Sequence, residues 1–209
     1  MMKKWMKWAA ALLTVCFLAI PVLSDAASSA EDKAARREQE RQELRVKTYK
    51  VLKDLYAKKP KSKRAIEHAY GYAVFVDTSY TAGFIGGGHG RGRAINQANG
   101  TEVFMKMAQG KVGLGLGIRQ SNIIFVFDTI DAFTEFITKG WTFGGQAVAA
   151  ATDDVHGDAL EGSFQVAPGM WMYQMTTKGL AAELTANGTR FYVDNRLNET
   201  KIPKVRSEK

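Results

Sequence analysis

The side chains with the clearest chemical potential are cations: Arg45, Lys47, Lys50, Lys53, Lys58, Lys59, Lys61, Lys63 and Arg64 are packed into one short stretch. Such a cluster attracts phosphate, and each Lys or Arg held near an anionic membrane contributes about 1 kcal/mol. These nine are the candidate lipid-headgroup contacts. Other chemistries find less support. The run Gly86-Gly87-Gly88-His89-Gly90-Arg91-Gly92-Arg93 combines backbone amides with cations, yet no GxGxxG occurs. Gly110-Lys111 also lacks the spacing and the following Ser or Thr of a P-loop. The three histidines, His68, His89 and His156, are scattered. The acidic turn Asp153-Asp154-Val155-His156-Gly157-Asp158 lacks the alternating oxygen ligands and terminal Glu of a calcium loop. Ser121 and Ser163 sit in no Gly-x-Ser-x-Gly elbow. No catalytic residue, metal site or cofactor is expected, and the chain is not read as an enzyme.

The element carrying the cations reads as a helix. Glu31 to Glu43 is rich in helix formers and free of Gly and Pro. Leu44, Thr48, Val51, Leu52, Leu55 and Tyr56 then recur at helical spacing, which puts an apolar stripe on one face, and Pro60 stops the helix near Lys58 or Lys59. Two uses of this stripe stay open. It either docks on the domain behind it, leaving the lysines to water, or lies in a lipid headgroup layer. In the second case residues 31–64 are expected to be removable without unfolding the rest.

Beyond Ala65 the texture changes. A short helix end at Ile66 to Tyr70 precedes Gly71 to Asp77, an apolar, β-branched and aromatic run typical of a buried strand. Between Gly83 and Gly117 lie 11 of the 20 glycines. Gly86, Gly88, Gly90 and Gly92 alternate at period two, as do Gly113, Gly115 and Gly117, which is strand spacing with one bare face. A bare face permits close backbone approach or a tight bend. Asn99-Gly100 and Asn187-Gly188 read as hairpin turns with both central residues at positive φ. Asn122 to Phe127 and Met170 to Thr176 read as further strands. Ile130, Phe133, Phe136 and Ile137 form a helical stripe begun by Asp128 or Thr129 and ended by Gly140. The expected fold is α+β: a mainly antiparallel, glycine-rich meander or partly closed barrel, an N-terminal amphipathic helix, and one or two further helices.

Charge and the N-terminus complete the organisation. The chain has 209 residues and a net charge of +8. Residues 31–64 carry +7 of it and residues 65–209 carry −1, so nearly all the excess is on one arm. Lys3, Lys4 and Lys7 precede an apolar run from Trp8 to Leu23, followed by small residues around Ala26. This reads as an export signal over 1–26, too short for a typical span, with a retained membrane anchor as the alternative. The one cysteine, Cys16, falls inside that run behind Val15, a poor lipidation context. A mature product without cysteine excludes disulfide, iron-sulfur and thiolate-zinc scaffolds and suits an oxidising compartment. Export, and basic charge on an arm rather than on an aromatic-lined sheet, argue against nucleic acid as partner.

The ordered motifs Gly71-Tyr72-Ala73-Val74-Phe75, Gly83-Phe84-Ile85-Gly86-Gly87-Gly88-His89-Gly90-Arg91-Gly92, Val112-Gly113-Leu114-Gly115-Leu116-Gly117 and Lys178-Gly179-Leu180-Ala181-Ala182-Glu183-Leu184 resemble the SYLF domain family over about residues 65–198. Val76 stands where a Pro is usual, and Ala181-Ala182 where bulkier residues are common. The resemblance implies a lipid-associated, exported envelope protein, periplasmic or otherwise envelope-bound, whose basic N-terminal segment contacts headgroups. Actin, bound by some relatives, is not expected as a partner of an exported chain. The organisation read is thus signal 1–26, basic helical arm 27–64, SYLF-like domain 65–198 and tail 199–209. Phe84, Leu114, Leu116, Phe125 and Trp141 are expected to form a core or to receive acyl chains. The rival reading is a structural or protein-interaction domain of the envelope with no lipid ligand.

Overall fold

The computed structural model describes residues 21–143, 162–176, 179–180 and 188–199, with the side-chain surroundings of 21–29, 81–85, 111–119, 176 and 179–180 left aside. Outside these limits lie the cleavage context, the acidic turn at 153–158, Asn187, most of the Lys178 to Leu184 motif and the tail beyond 199. The elements run α1 (Pro21–Lys58), α2 (Pro60–His68), β1 (Gly71–Asn96), β2 (Glu102–Phe127), α3 (Ile130–Lys139), β3 (Trp141–Phe143), β4 (Phe164–Ala167), β5 (Met170–Thr176), β6 (Gly179–Leu180), β7 (Thr189–Val193) and α4 (Asn195–Asn198). The chain divides into two compact units, residues 1–40 and 41–209. In the first, only helical backbone and mixed-charge surface are described. The second is the α+β domain expected, an antiparallel sheet curled into a half-barrel.

Its frame is one hairpin of two 26-residue strands. The expected separate strands over 71–77 and 86–96 are a single β1, and Asn122 to Phe127 is the end of β2 rather than an element of its own. Straight, each would extend about 85 Å, far more than a domain of this size can hold, so the hairpin must curl. Register slips once, between Gly83 and Ile85, and the far half of β1 folds back over the near half. A Cβ on Gly92 would strike the Val74 carbonyl and lie 2.9 Å from the Phe75 Cα, and one on Gly90 would lie 2.9 Å from the Val76 carbonyl. Those glycines are bare because the same strand's backbone passes beneath them. The hairpin forms at Asn99-Gly100, but with different geometry. Only Gly100 has positive φ, at 69°, and its amide donates to Asn96 O at 2.9 Å, so the turn is longer than the tight type expected.

The sheet is not a simple meander either. β2 pairs with β1 along one edge, and along the other with β5 through Ser121–Phe127 and with β7 through Met105–Gln109. Inside the curl, Phe75, Phe125, Phe127 and Phe191 meet Phe133 and Phe136 of α3, with ring centroids 4.8 to 6.3 Å apart. α3 begins and ends where its signals fall: Thr129 Oγ1 accepts from the Ala132 amide, and Gly140 follows at φ 73°. Phe125 is thus core, as one of the two expected uses had it, and Trp141 packs on it at 5.6 Å.

The α1 stripe is docked. Leu44, Thr48, Val51, Leu52 and Leu55 are buried, the last three against Val74, Ile124, Val126, Trp171 and Tyr173 on the outer face of the sheet. α1 stops at Lys58 because the residue before Pro60 cannot stay helical, and Lys59 has φ −137° and ψ 80°. α2 restarts at once and adds Ile66 to the same cluster. The reading in which the stripe lies in lipid is corrected: that face is already occupied by the sheet. Removing residues 31–64 is therefore expected to yield an aggregating or unfolded domain, read by circular dichroism. Leu55→Ala should cost about 2–5 kcal/mol in denaturant unfolding. Gly92→Ala should cost about 1–3 kcal/mol or more, whereas Gly110→Ala, whose Cβ would meet nothing within 4 Å, should stay within about 0.5 kcal/mol of the parent.

Candidate functional site

Docking one face of α1 fixes what the opposite face presents. Four-residue spacing from the buried Leu44, Thr48 and Leu55 puts Val46, Lys50, Lys53 and Ala57 on the outward side, with Tyr49 and Lys47 flanking. Val46 is 69% and Tyr49 60% exposed. The Lys53 ammonium lies 5.9 Å from the Tyr49 ring centroid, and Lys50 meets Asp54 at 3.1 Å. Lys47 faces Glu43 at 3.7 Å, an exposed pair of little energetic weight. Lys58, Lys61, Lys63 and Arg64 are exposed around the α1–α2 junction, and Lys59 is half-buried. The Lys63 ammonium is 3.8 Å from Glu67. Of the nine cations read from the sequence, seven are exposed, and Arg45 and Lys59 are half-buried. Sequence reasoning missed Val46 and Tyr49, although their spacing, three apart and out of phase with the stripe, was available.

Arg45 departs from the group. Its guanidinium grips Glu102 at the start of β2 through two nitrogens at 2.9 and 2.7 Å, and lies over the Phe104 ring at 5.5 Å. Arg93 meets the same carboxylate at 2.7 Å and donates to Thr48 Oγ1 at 2.7 Å. Arg41 donates to the carbonyls of Leu197 and Glu199. A planar fork that bonds bidentately, as at Arg45, is suited to a fixed contact, and flexible ammonium groups are suited to solvent. Arg41 and Arg45 fasten the helix, and Lys47, Lys50 and Lys53 are exposed.

Burial alone would raise the Glu102 carboxyl, but the hydrogen bonds and charges of Arg45 and Arg93 outweigh it and hold the group below its ordinary value. Burial also pushes the Tyr56 hydroxyl, set beside Tyr72, up to about 12. Among the described residues no group of three or more His, Cys, Asp or Glu is placed to hold a metal ion, and no helix is long and apolar enough to cross a membrane.

A curled antiparallel sheet closed on its own glycine face, with residues 44–55 of α1 packed on its outer side, defines an α+β module. Residues 108–201 match the Ysc84 family, described as "Las17-binding protein actin regulator". Over those residues the chain is similar to the SYLF family that its glycine motifs resemble. It is also 27% identical over 146 residues to Beta cell expansion factor A of Aeromonas veronii, an alignment covering 70% of this chain and 54% of that protein. The chain therefore spans about half the length of the curated relative it matches.

Because the Glu102 carboxyl is depressed in the folded state, its contribution is present above the ordinary carboxyl range near pH 4.5 and is lost as pH falls through the folded value. Glu102→Gln is expected to lower stability by about 1–3 kcal/mol at pH 7. Urea unfolding at a series of pH values should show that difference shrinking below about pH 4.

Proposed function

We propose that the protein is an exported envelope component that binds anionic phospholipid surfaces through the outward face of α1 and the lysine-rich start of α2, without catalysing a reaction. The observation that carries this is the pairing of exposed Val46 and Tyr49 with Lys47, Lys50 and Lys53 on a helix face pointing away from the sheet. A tyrosine ring sits well at headgroup depth, with its hydroxyl wet and its ring in the apolar boundary. Lysines around it reach phosphates while their stems cover apolar surface. The helix needs no rearrangement to make this contact, because its other face stays on the sheet. Export rests on Lys3, Lys4 and Lys7 ahead of the apolar run from Trp8.

One observation favours the rival, a structural or protein-interaction module: the stripe that defined the helix as amphipathic is consumed by internal packing. The readings separate in vesicle co-sedimentation. On the lipid reading, anionic vesicles bring the protein down and salt weakens this, since exposed charges are screened over about 10 Å at 0.1 M. Lys50→Glu with Lys53→Glu should weaken binding at least tenfold and Tyr49→Ala several-fold, with unfolding midpoints little changed. Binding to neutral vesicles in high salt as strong as to anionic ones would overturn the electrostatic part. Indifference of both variants would leave the rival.

A further inference from the structure

Residues 65–209 sum to −1, yet the fold gathers several of their cations on one solvent face of the sheet. The periodicity that turns Gly88, Gly90 and Gly92 inward turns His89 and Arg91 outward. Register then sets two neighbouring rungs across three or four strands. Arg91 of β1 lies opposite Lys106 of β2, which lies opposite Tyr192 of β7. His89 lies opposite Ala108, which lies opposite Arg190, with Thr142 of β3 beyond. His89 and Arg190 are exposed, the side chains of Arg91 and Lys106 are 39% and 33% exposed, and Tyr192 is 36% exposed.

Two features argue against an incidental cluster. Like charges directly opposite on paired strands destabilise a sheet, and Arg91 against Lys106 is such a pair. The acid that answers them is Asp194, 3.2 Å from the Lys106 ammonium and 4.0 Å from Arg91. That carboxylate is buried and also caps α4 by accepting the amides of Arg196 and Leu197. Ala108 and Gly110 make a low floor between the flanking cations, and Gly110 has open space above it. His89 and Arg190 stand two strand spacings apart, about 10 Å at the backbone, a gap that side chains leaning over Ala108 can close on one tetrahedral anion.

We propose that this face of β1, β2 and β7 is a second anion site, separate from the lysine face of α1, that takes a phosphate ester with Arg190, Arg91, Lys106 and His89 as its donors. The ester is carried either by a lipid headgroup or by a soluble molecule, and the test distinguishes the two. The full chain is titrated with pyrophosphate and glycerol 3-phosphate by isothermal calorimetry, and with vesicles containing phosphatidic acid by co-sedimentation. Arg190→Glu should weaken whichever probe binds at least tenfold, whereas Arg190→Lys, which keeps the charge, should lose no more than a few-fold. Lys50→Glu with Lys53→Glu should leave the soluble probes unaffected. Binding of the soluble probes identifies a free phosphate ester, and binding of the vesicles alone, still sensitive to Arg190→Glu, identifies a headgroup. The proposal is overturned if no probe binds the parent protein, or if Arg190→Glu with an unchanged melting temperature binds as the parent does.

Discussion

The approach of β1 to itself governs this molecule. Where Gly90 and Gly92 cross Val74, Phe75 and Val76, backbone rests on backbone at a separation no side chain would allow. That contact converts an overlong hairpin into a half-barrel and sets the phenylalanine cluster on its inside. On the outside it leaves the apolar surface of Val74, Ile124 and Val126, which cannot remain in water. The N-terminal helix covers it. Glycine spacing thus decides both where the core lies and where α1 must go.

Once α1 is bound by that surface, the meaning of its charges changes. A free amphipathic helix would offer lipid its apolar stripe, whereas a docked one offers only its back. Here the back carries Val46, Tyr49 and lysines, so docking leaves those side chains exposed. Arg45 is withdrawn into the Glu102 and Arg93 cluster, where a bidentate pair has more worth than an exposed charge. The helix is held by arginine and presents lysine.

Much of this was legible in local sequence. The boundaries of α3 follow from Thr129 and Gly140, the end of α1 from Pro60, and the hairpin at Gly100 from its dipeptide, because caps, prolines and turns act over a few residues. The α1 stripe was legible as a stripe but not as to its partner. Arg45 and Glu102 are 57 residues apart, and nothing near either one announces the other. The cationic sheet face was half visible: His89 and Arg91 alternate with glycines, but Lys106 and Arg190 join them only through register. Summing charge over 65–209 hid the cluster, since a total carries no positions.

From the amino-acid order alone came the family resemblance, the α+β class, the helix with its apolar stripe and basic residues, and strands with one face bare. These rest on period and local sterics, which are properties of short segments. Tertiary structure decided that β1 and β2 are continuous, that the bare face meets its own strand, that the sheet rather than a bilayer takes the α1 stripe, and which cations stand together. Those outcomes depend on which distant surfaces come into contact, and burial energy selects among contacts only when the whole chain is folded.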